Sequence, residues 1–292
     1  MAVTVGITAS AIAADVALPA KAPLAPAPAI ETWTFSLTPY IWATSLSGHT
    51  TVKGVTTDVN ASFFDILDHT EFPKDLLQFA AFGEARYGRF GILADLAYMK
   101  VGINGDRART RGVDQLNGSV GLSAGITTEM VIAELAAAYE IARWGASSAP
   151  SWTALDLYAG GRAWWQRGET QVQVSGTLNI LNFTRTADGT LSATGNVSWF
   201  DPLVGARLRY QFFPGLDLAV SGDIGGFDVG SKLSWQALAL LNYEFCKTQS
   251  VSWNAMIGYK ALSVNYSQGS GLSLYEYDIT MHGPIFGITA RF

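Results

Sequence analysis

Apolar and polar side chains alternate along most of this chain beyond residue 32, with the period of two that belongs to strands whose two faces meet different surroundings. In "GPIFGITARF", Pro284, Phe286, Ile288, Ala290 and Phe292 share one parity, against Gly283, Gly287, Thr289 and Arg291 on the other. "PLVGARLRYQFF" and the aspartate before it set Val204, Ala206, Leu208, Tyr210 and Phe212 against Asp201, Gly205, Arg207 and Arg209. Leu216, Leu218, Val220 and Ile224 oppose Asp217, Ser221 and Asp223, and Trp235 through Phe245 repeat the pattern against Gln236, Asn242 and Glu244. The alternation predicts strands over 32–46 (running as far as 53), 76–88, 90–104, 127–143, 152–168, 198–212, 215–226, 232–245, 250–266 and 273–292. Some joints are short, at 87–90, 212–216 and 245–251. Others, 105–126, 169–197 and 267–272, are long, polar and expected to be loops.

Short joints on one side and long ones on the other are the asymmetry of a barrel that crosses a membrane. With both ends of the fold on the same side, the strand number is even. The segments give ten, and twelve is the alternative if 105–126 or 169–197 hides another hairpin. The stretch "VTTDVNASFFDILDHTEFPKD" at 55–75 fits neither class. It reads as a short extra strand followed by a helical turn that folds over the mouth or into the lumen. The fold expected is all-β, an antiparallel up-and-down transmembrane β-barrel.

The charges sharpen this picture. Glu84, Arg86, Asp95, Glu134, Glu140, Asp156, Arg162, Arg207, Arg209, Asp217, Asp223, Glu244, Lys260 and Arg291 all fall opposite the aliphatic stripe of their segments. A charge facing lipid at mid-membrane costs about 2–4 kcal/mol, enough to enforce such sorting. These residues are expected to form a charge network inside the barrel. One reading is an ion-pair ladder filling a narrow lumen. The other is a polar pore whose basic strip, Arg162, Arg207 and Arg209, steers anionic solutes. Lys100, Glu276 and Asp278 take the apolar parity, toward the ends where strands rise past the bilayer or a bulge resets the alternation. Tyr87, Phe90, Trp144, Trp152, Tyr210, Phe212, Tyr243, Phe245, Trp253 and Phe292 cluster at the short-turn ends and predict an aromatic girdle.

Composition agrees. Of 292 residues, 49% are hydrophobic and only 15% charged, against about a quarter charged in an ordinary globular domain. No run reaches the 18 or more apolar residues of a spanning helix, which leaves a closed barrel as the membrane solution. A net charge of −5 argues against nucleic-acid binding, and the lone Cys246 excludes an intramolecular disulfide and a cysteine-based zinc site. Residues 1–14 resemble the apolar core and A-x-A cleavage site of a secretory signal, without a basic lead. Residues 15–31 form a Pro/Ala linker ahead of a barrel over 32–292.

The stretches "TPYIW", "FGEARYGRFGILADLAYMKV", "WFDPLVGARLRY", "GDIGGFDVGSKLSWQ" and "GPIFGITARF" carry a resemblance over 32–292. They resemble proteobacterial outer-membrane β-barrels, a largely uncharacterised family loosely related to opacity-type and porin-like surface barrels. The resemblance implies a place in the outer membrane of a Gram-negative bacterium, contact with its lipid, and Phe292 as the signal read by the barrel-assembly machinery. It implies no ligand or catalytic residues.

Candidate chemistry is sparse. "GDIGGFDVGSK" matches neither the phosphate-loop order nor a calcium loop, so its glycines read as a tight strand exit with Asp223 pointing inward. His49, His69 and His282 sit in no recognisable motif. The function expected is a non-enzymatic, monomeric surface barrel, structural or adhesive, with minor solute passage. A small-solute porin with a mixed-charge lumen is the alternative and an outer-membrane hydrolase the third. No metal or cofactor is expected.

Overall fold

The computed structural model describes residues 32–52, 55–69, 76–104, 109–111, 119–145, 150–180 and 183–292. The segments expected ahead of the barrel, 1–14 and 15–31, lie outside the described residues. The fold is a closed antiparallel barrel of ten strands with two extra strands at one mouth.

The elements, in chain order, are β1 (Trp33–Trp42), β2 (Ser45–Val52), β3 (Val55–Ala61), α1 (Phe63–His69), β4 (Leu76–Tyr87), β5 (Phe90–Asn104), β6 (Arg109–Arg111) and β7 (Ser119–Trp144). There follow β8 (Trp152–Ile180), β9 (Phe183–Phe213), β10 (Leu216–Gly225), β11 (Leu233–Lys247), β12 (Ser252–Gln268) and β13 (Tyr275–Arg291). β1 and β2 act as one stave along β13. Trp42 pairs with Ile285 and Ser45 with His282, and the Ala43 amide between them donates to the Pro284 carbonyl at 2.9 Å. β1 pairs with β4 on its other edge, so the sheet closes between β1 and β13. The extra strands β3 and β6 continue from β2 beyond the end of β4.

The tight turns at 88–89 and 214–215 and the joint at 248–251 all fall at one end, called here the turn end. The β8–β9 and β12–β13 hairpins turn at the other, the hairpin end. There 109–111 and 119–126 of one expected loop, 105–126, and 169–180 and 183–197 of the other, 169–197, are strand. β7 begins at Ser119, and β8 and β9 pair without interruption up to Ile180 opposite Phe183. Threonine, a β-branched residue that favours strands, is the commonest residue of 169–197. The hidden hairpin is therefore an extension of two staves, and the barrel has ten strands instead of twelve.

The helical turn expected within 55–75 is α1. Its first turn is held by a capping box: the Asp65 amide donates to Ser62 Oγ at 3.2 Å and the Ser62 amide to Asp65 Oδ2 at 3.2 Å. Ile66 is buried in the barrel's apolar core.

The outer surface is apolar. Phe35, Leu37, Ile41, Ile92, Leu135, Leu157, Val204, Leu208, Val220, Ile224, Phe286 and Ile288 are all exposed. Tyr87, Phe90, Trp144, Phe212, Tyr243, Phe245, Trp253 and Phe292 are exposed at the turn end. Trp152 departs from the expected girdle. Its ring sits at the lumen's rim with the guanidinium groups of Arg143 and Arg209 over it at 4.4 and 5.5 Å.

Candidate functional site: a divided lumen

The inward positions build two different media. In the turn-side half they are charged, and their ion pairs run as chords across the tube. Arg207 on β9 donates to both carboxylate oxygens of Glu84 on β4, at 2.8 and 2.9 Å. Arg86 on β4 donates to Asp156 on β8 at 3.0 Å and to Glu84 at 3.0 Å. Asp156 also accepts from Arg207 and Arg209, and it has no exposed surface. Three guanidinium groups around one buried carboxylate compensate its desolvation, which is otherwise severe. Arg209 reaches Glu140 at 2.7 Å, and Arg143 binds the same carboxylate through two bonds of 2.8 and 2.7 Å.

Deeper in, Arg162 bridges Glu134 at 2.8 Å and Asp223 at 2.9 Å, and Asp223 accepts from the Tyr158 hydroxyl at 3.2 Å. Lys260 on β12 crosses to Asp95 on β5, which also accepts from the Tyr40 hydroxyl at 2.8 Å. Lys260 Nζ lies 5.1 Å from the Trp42 ring centre. Near the turn mouth Arg291 makes a two-pronged pair with Asp217 at 2.9 and 3.0 Å.

Of the fourteen inward charges named from the sequence, thirteen have a charged partner inside the barrel. The exception is Glu244, which faces inward at the end of β11 without an ion-pair partner among the described residues. Three inward residues escape the period-two reading. Arg143 should point outward, but a bulge between Glu140 and Ala142 restores it to the inner face. Leu238 and Leu240 are apolar yet inward and partly buried.

A cavity of about 500 Å³ enters from the turn end, lined by residues of the 247–252 joint, Trp152, Arg209 and Arg291. It stops at the layer of Lys260, Asp95, Tyr40 and Ile285. Beyond lies the second medium. Trp42, Ile132, Trp164, Leu262, Val264, Met281 and Ile285 fill the hairpin-side half, with Tyr266, Tyr275 and Tyr277. Trp164, Trp199 and Tyr266 stack in series at 5.2 and 4.1 Å. Asp201 orders them: its Oδ2 accepts from both indoles, at 3.0 and 3.3 Å, and its Oδ1 from the Ser231 amide at 2.7 Å. That last bond ties the β10–β11 connection to the plug. Positive φ at Phe227 (52°) and Asp228 (61°) gives this connection its tight course.

At the hairpin end the alternation inverts. Tyr275, Tyr277, Ile279 and Met281 point inward, while Glu276 and Asp278 point outward. The β12–β13 register runs unbroken from Ser252 opposite Arg291 to Gln268 opposite Tyr275, so no bulge is involved. Lys100 is also outward, paired with Glu129 at 3.3 Å. His49 approaches Glu276 at 3.8 Å, and His282 bonds the exposed Tyr259 hydroxyl at 2.8 Å.

An apolar exterior wrapped around an ion-paired interior defines a transmembrane β-barrel. No family model and no curated protein matches the chain. Among solved structures it is similar to the CymD monoaromatic hydrocarbon channel, at 9% identity over 89% of this chain and 88% of that one, with a TM-score of 0.23. It is also similar to the outer membrane protein OpdK of Pseudomonas aeruginosa, at 8% identity over 89% and 99%, with a TM-score of 0.22. A FadL homologue of Pseudomonas aeruginosa gives 8% identity over 89% and 90%, with a TM-score of 0.21.

Proposed function

We propose that this barrel resides in the outer membrane of a Gram-negative bacterium and acts as a non-enzymatic small-solute channel, held shut at its hairpin end. The observation that carries this reading is the cavity of about 500 Å³ that runs inward from the turn end and halts at Lys260, Asp95 and Tyr40. A lumen serving only to fill the tube would be occupied from end to end. This one is packed with apolar side chains over the hairpin-side half and keeps open space beside the ion-paired chords of the turn-side half. The short turns fit the periplasmic side and the long hairpins the outside. Phe292, whose amide donates to the Phe35 carbonyl at 2.8 Å and whose ring is exposed, is the group offered to the assembly machinery.

Planar-bilayer recording tests the channel. The native barrel is expected to give rare, small steps, and a Trp42→Ala/Met281→Ala variant that still folds is expected to give frequent, larger ones. Silence from both proteins would exclude the channel.

A second reading, a surface or adhesive role, is favoured by one observation. β8 and β9 are 29 and 31 residues long, whereas a membrane crossing needs about 9–11. Their paired ends therefore stand well clear of any bilayer. Deleting 172–191 should leave the barrel folded and abolish cell-surface attachment if that reading holds.

A further inference from the structure

We infer that the turn-side cavity is a binding site for small organic anions, each a carboxylate carried on an apolar body. The inference deepens the channel reading by naming its solute class and rests on that reading only for the solute's passage. Its argument is the composition of one wall.

Six cationic side chains line the cavity: Arg86, Arg207, Arg209, Lys247, Lys260 and Arg291. Only three carboxylates, Glu84, Asp95 and Asp217, share that lining. Asp156 and Glu140, which hold the arginines, are not part of it. They nevertheless lie within 3 Å of Arg86, Arg207 and Arg209 and offset them, as Asp95 offsets Lys260 and Asp217 offsets Arg291, so the positive charge left for a ligand is that of Lys247 at the mouth. Lys247, at the mouth, is exposed and carries no ion pair among the described residues.

Charge alone would suit chloride or phosphate equally well. The remaining lining decides against them. Phe82, Leu238 and Leu240, all partly buried, face the same space, and Met256 and Ile285 lie behind them in the apolar core. On β11 the two leucines sit between inward Gln236 and Asn242, where polar residues would continue the pattern. An apolar patch left facing a wet cavity is unfavourable until something apolar covers it. A cavity of about 500 Å³ falls within the range of small-molecule sites. An aromatic or branched carboxylate matches both halves of the wall. Neutral sugars match neither, and inorganic ions match one.

Isothermal titration of the detergent-folded barrel tests this, with benzoate as probe, acetate and benzyl alcohol as comparators, and blank detergent titrations subtracted. Benzoate is expected to bind at least about tenfold more tightly than either comparator. Leu240→Gln should weaken benzoate while leaving acetate unchanged, and Lys247→Gln should weaken both anions while leaving benzyl alcohol unchanged. Circular dichroism establishes that each variant is folded. Equal affinity for benzoate and benzyl alcohol, or benzoate binding indifferent to both substitutions, overturns the inference. Because binding is read without flow, the two ideas separate. A barrel that binds benzoate and never conducts keeps this site and loses the channel, whereas one that conducts without preferring benzoate does the reverse.

Discussion

In the turn-side half of the barrel, Arg207 spans the tube to Glu84, Lys260 spans it to Asp95, and each buried charge is held by named partners at defined angles. In the hairpin-side half, Trp42, Leu262, Met281 and Ile285 occupy inward positions on β1, β12 and β13, and only shape holds them. The first arrangement is directional, so it fixes distances across the lumen and tolerates empty space between the chords. The second is non-directional, so it closes whatever space it is given. One tube can therefore be open and rigid at one end and sealed at the other without a separate plug domain. Asp201 stands at the join, a carboxylate whose three donors are two indoles and a main-chain amide instead of a cation.

The contrast can be broken most severely from the charged side. Asp156→Ala leaves Arg86, Arg207 and Arg209 crowded around an empty position. Removing one member of a buried ion-pair set typically costs about 3–5 kcal/mol. Urea unfolding of the barrel from detergent micelles should show a loss of that size, and a loss below that of a surface substitution would mean the ladder contributes little. On the apolar side, Met281→Ala creates a void, with an expected loss of about 2–5 kcal/mol. Restoring the volume with Leu should recover most of it, a rescue that shape alone permits. Asp201→Asn is smaller, about 1–3 kcal/mol, because the amide turns a donor toward the Ser231 N–H. Quenching of tryptophan fluorescence by acrylamide should rise in that variant as Trp164 and Trp199 loosen. Lys100→Ala, at an outward pair, should change stability by no more than about 1 kcal/mol. A larger loss there would show that the outward face at that level is drier than its Lys–Glu pair implies.

The staves were legible because each separates two media, and a period of two records that separation residue by residue. The inner charges followed from the same parity, as Arg162, Arg207 and Asp223 illustrate. Parity fails where its physical cause fails. Arg143 lies past a bulge, so counting by twos misplaces it. Trp152 has the composition of a girdle residue but the position of a rim residue, where two guanidinium groups take its ring. Leu238, Leu240 and the Tyr275–Met281 stretch put apolar groups inside. The inside is dry at the hairpin end, and periodicity reports a difference between faces, never which face is wet. Residues 169–197 read as loop on their overall polarity, although Val172, Val174, Leu178 and Ile180 alternate with Gln171, Gln173, Thr177 and Asn179, so the strand was legible there in its period and hidden only by its composition. The cavity itself arises from where chords end, which no single segment encodes.

The pairing of β1 with β13 has a bearing on how the molecule comes into being. Ser36 lies opposite Arg291, and the amide of Phe292 meets the carbonyl of Phe35, so the seam joins stretches of polypeptide separated by nearly the whole fold. Most other neighbouring staves follow one another in the chain, and even β1 and β4 are separated only by β2, β3 and α1, but this seam must wait for all the rest. Until it forms, the curved sheet has two raw margins with unsatisfied amides and carbonyls. Maturation should thus be close to all-or-none, and any delay before the seam shuts is the interval in which the nascent sheet most needs shelter from its copies.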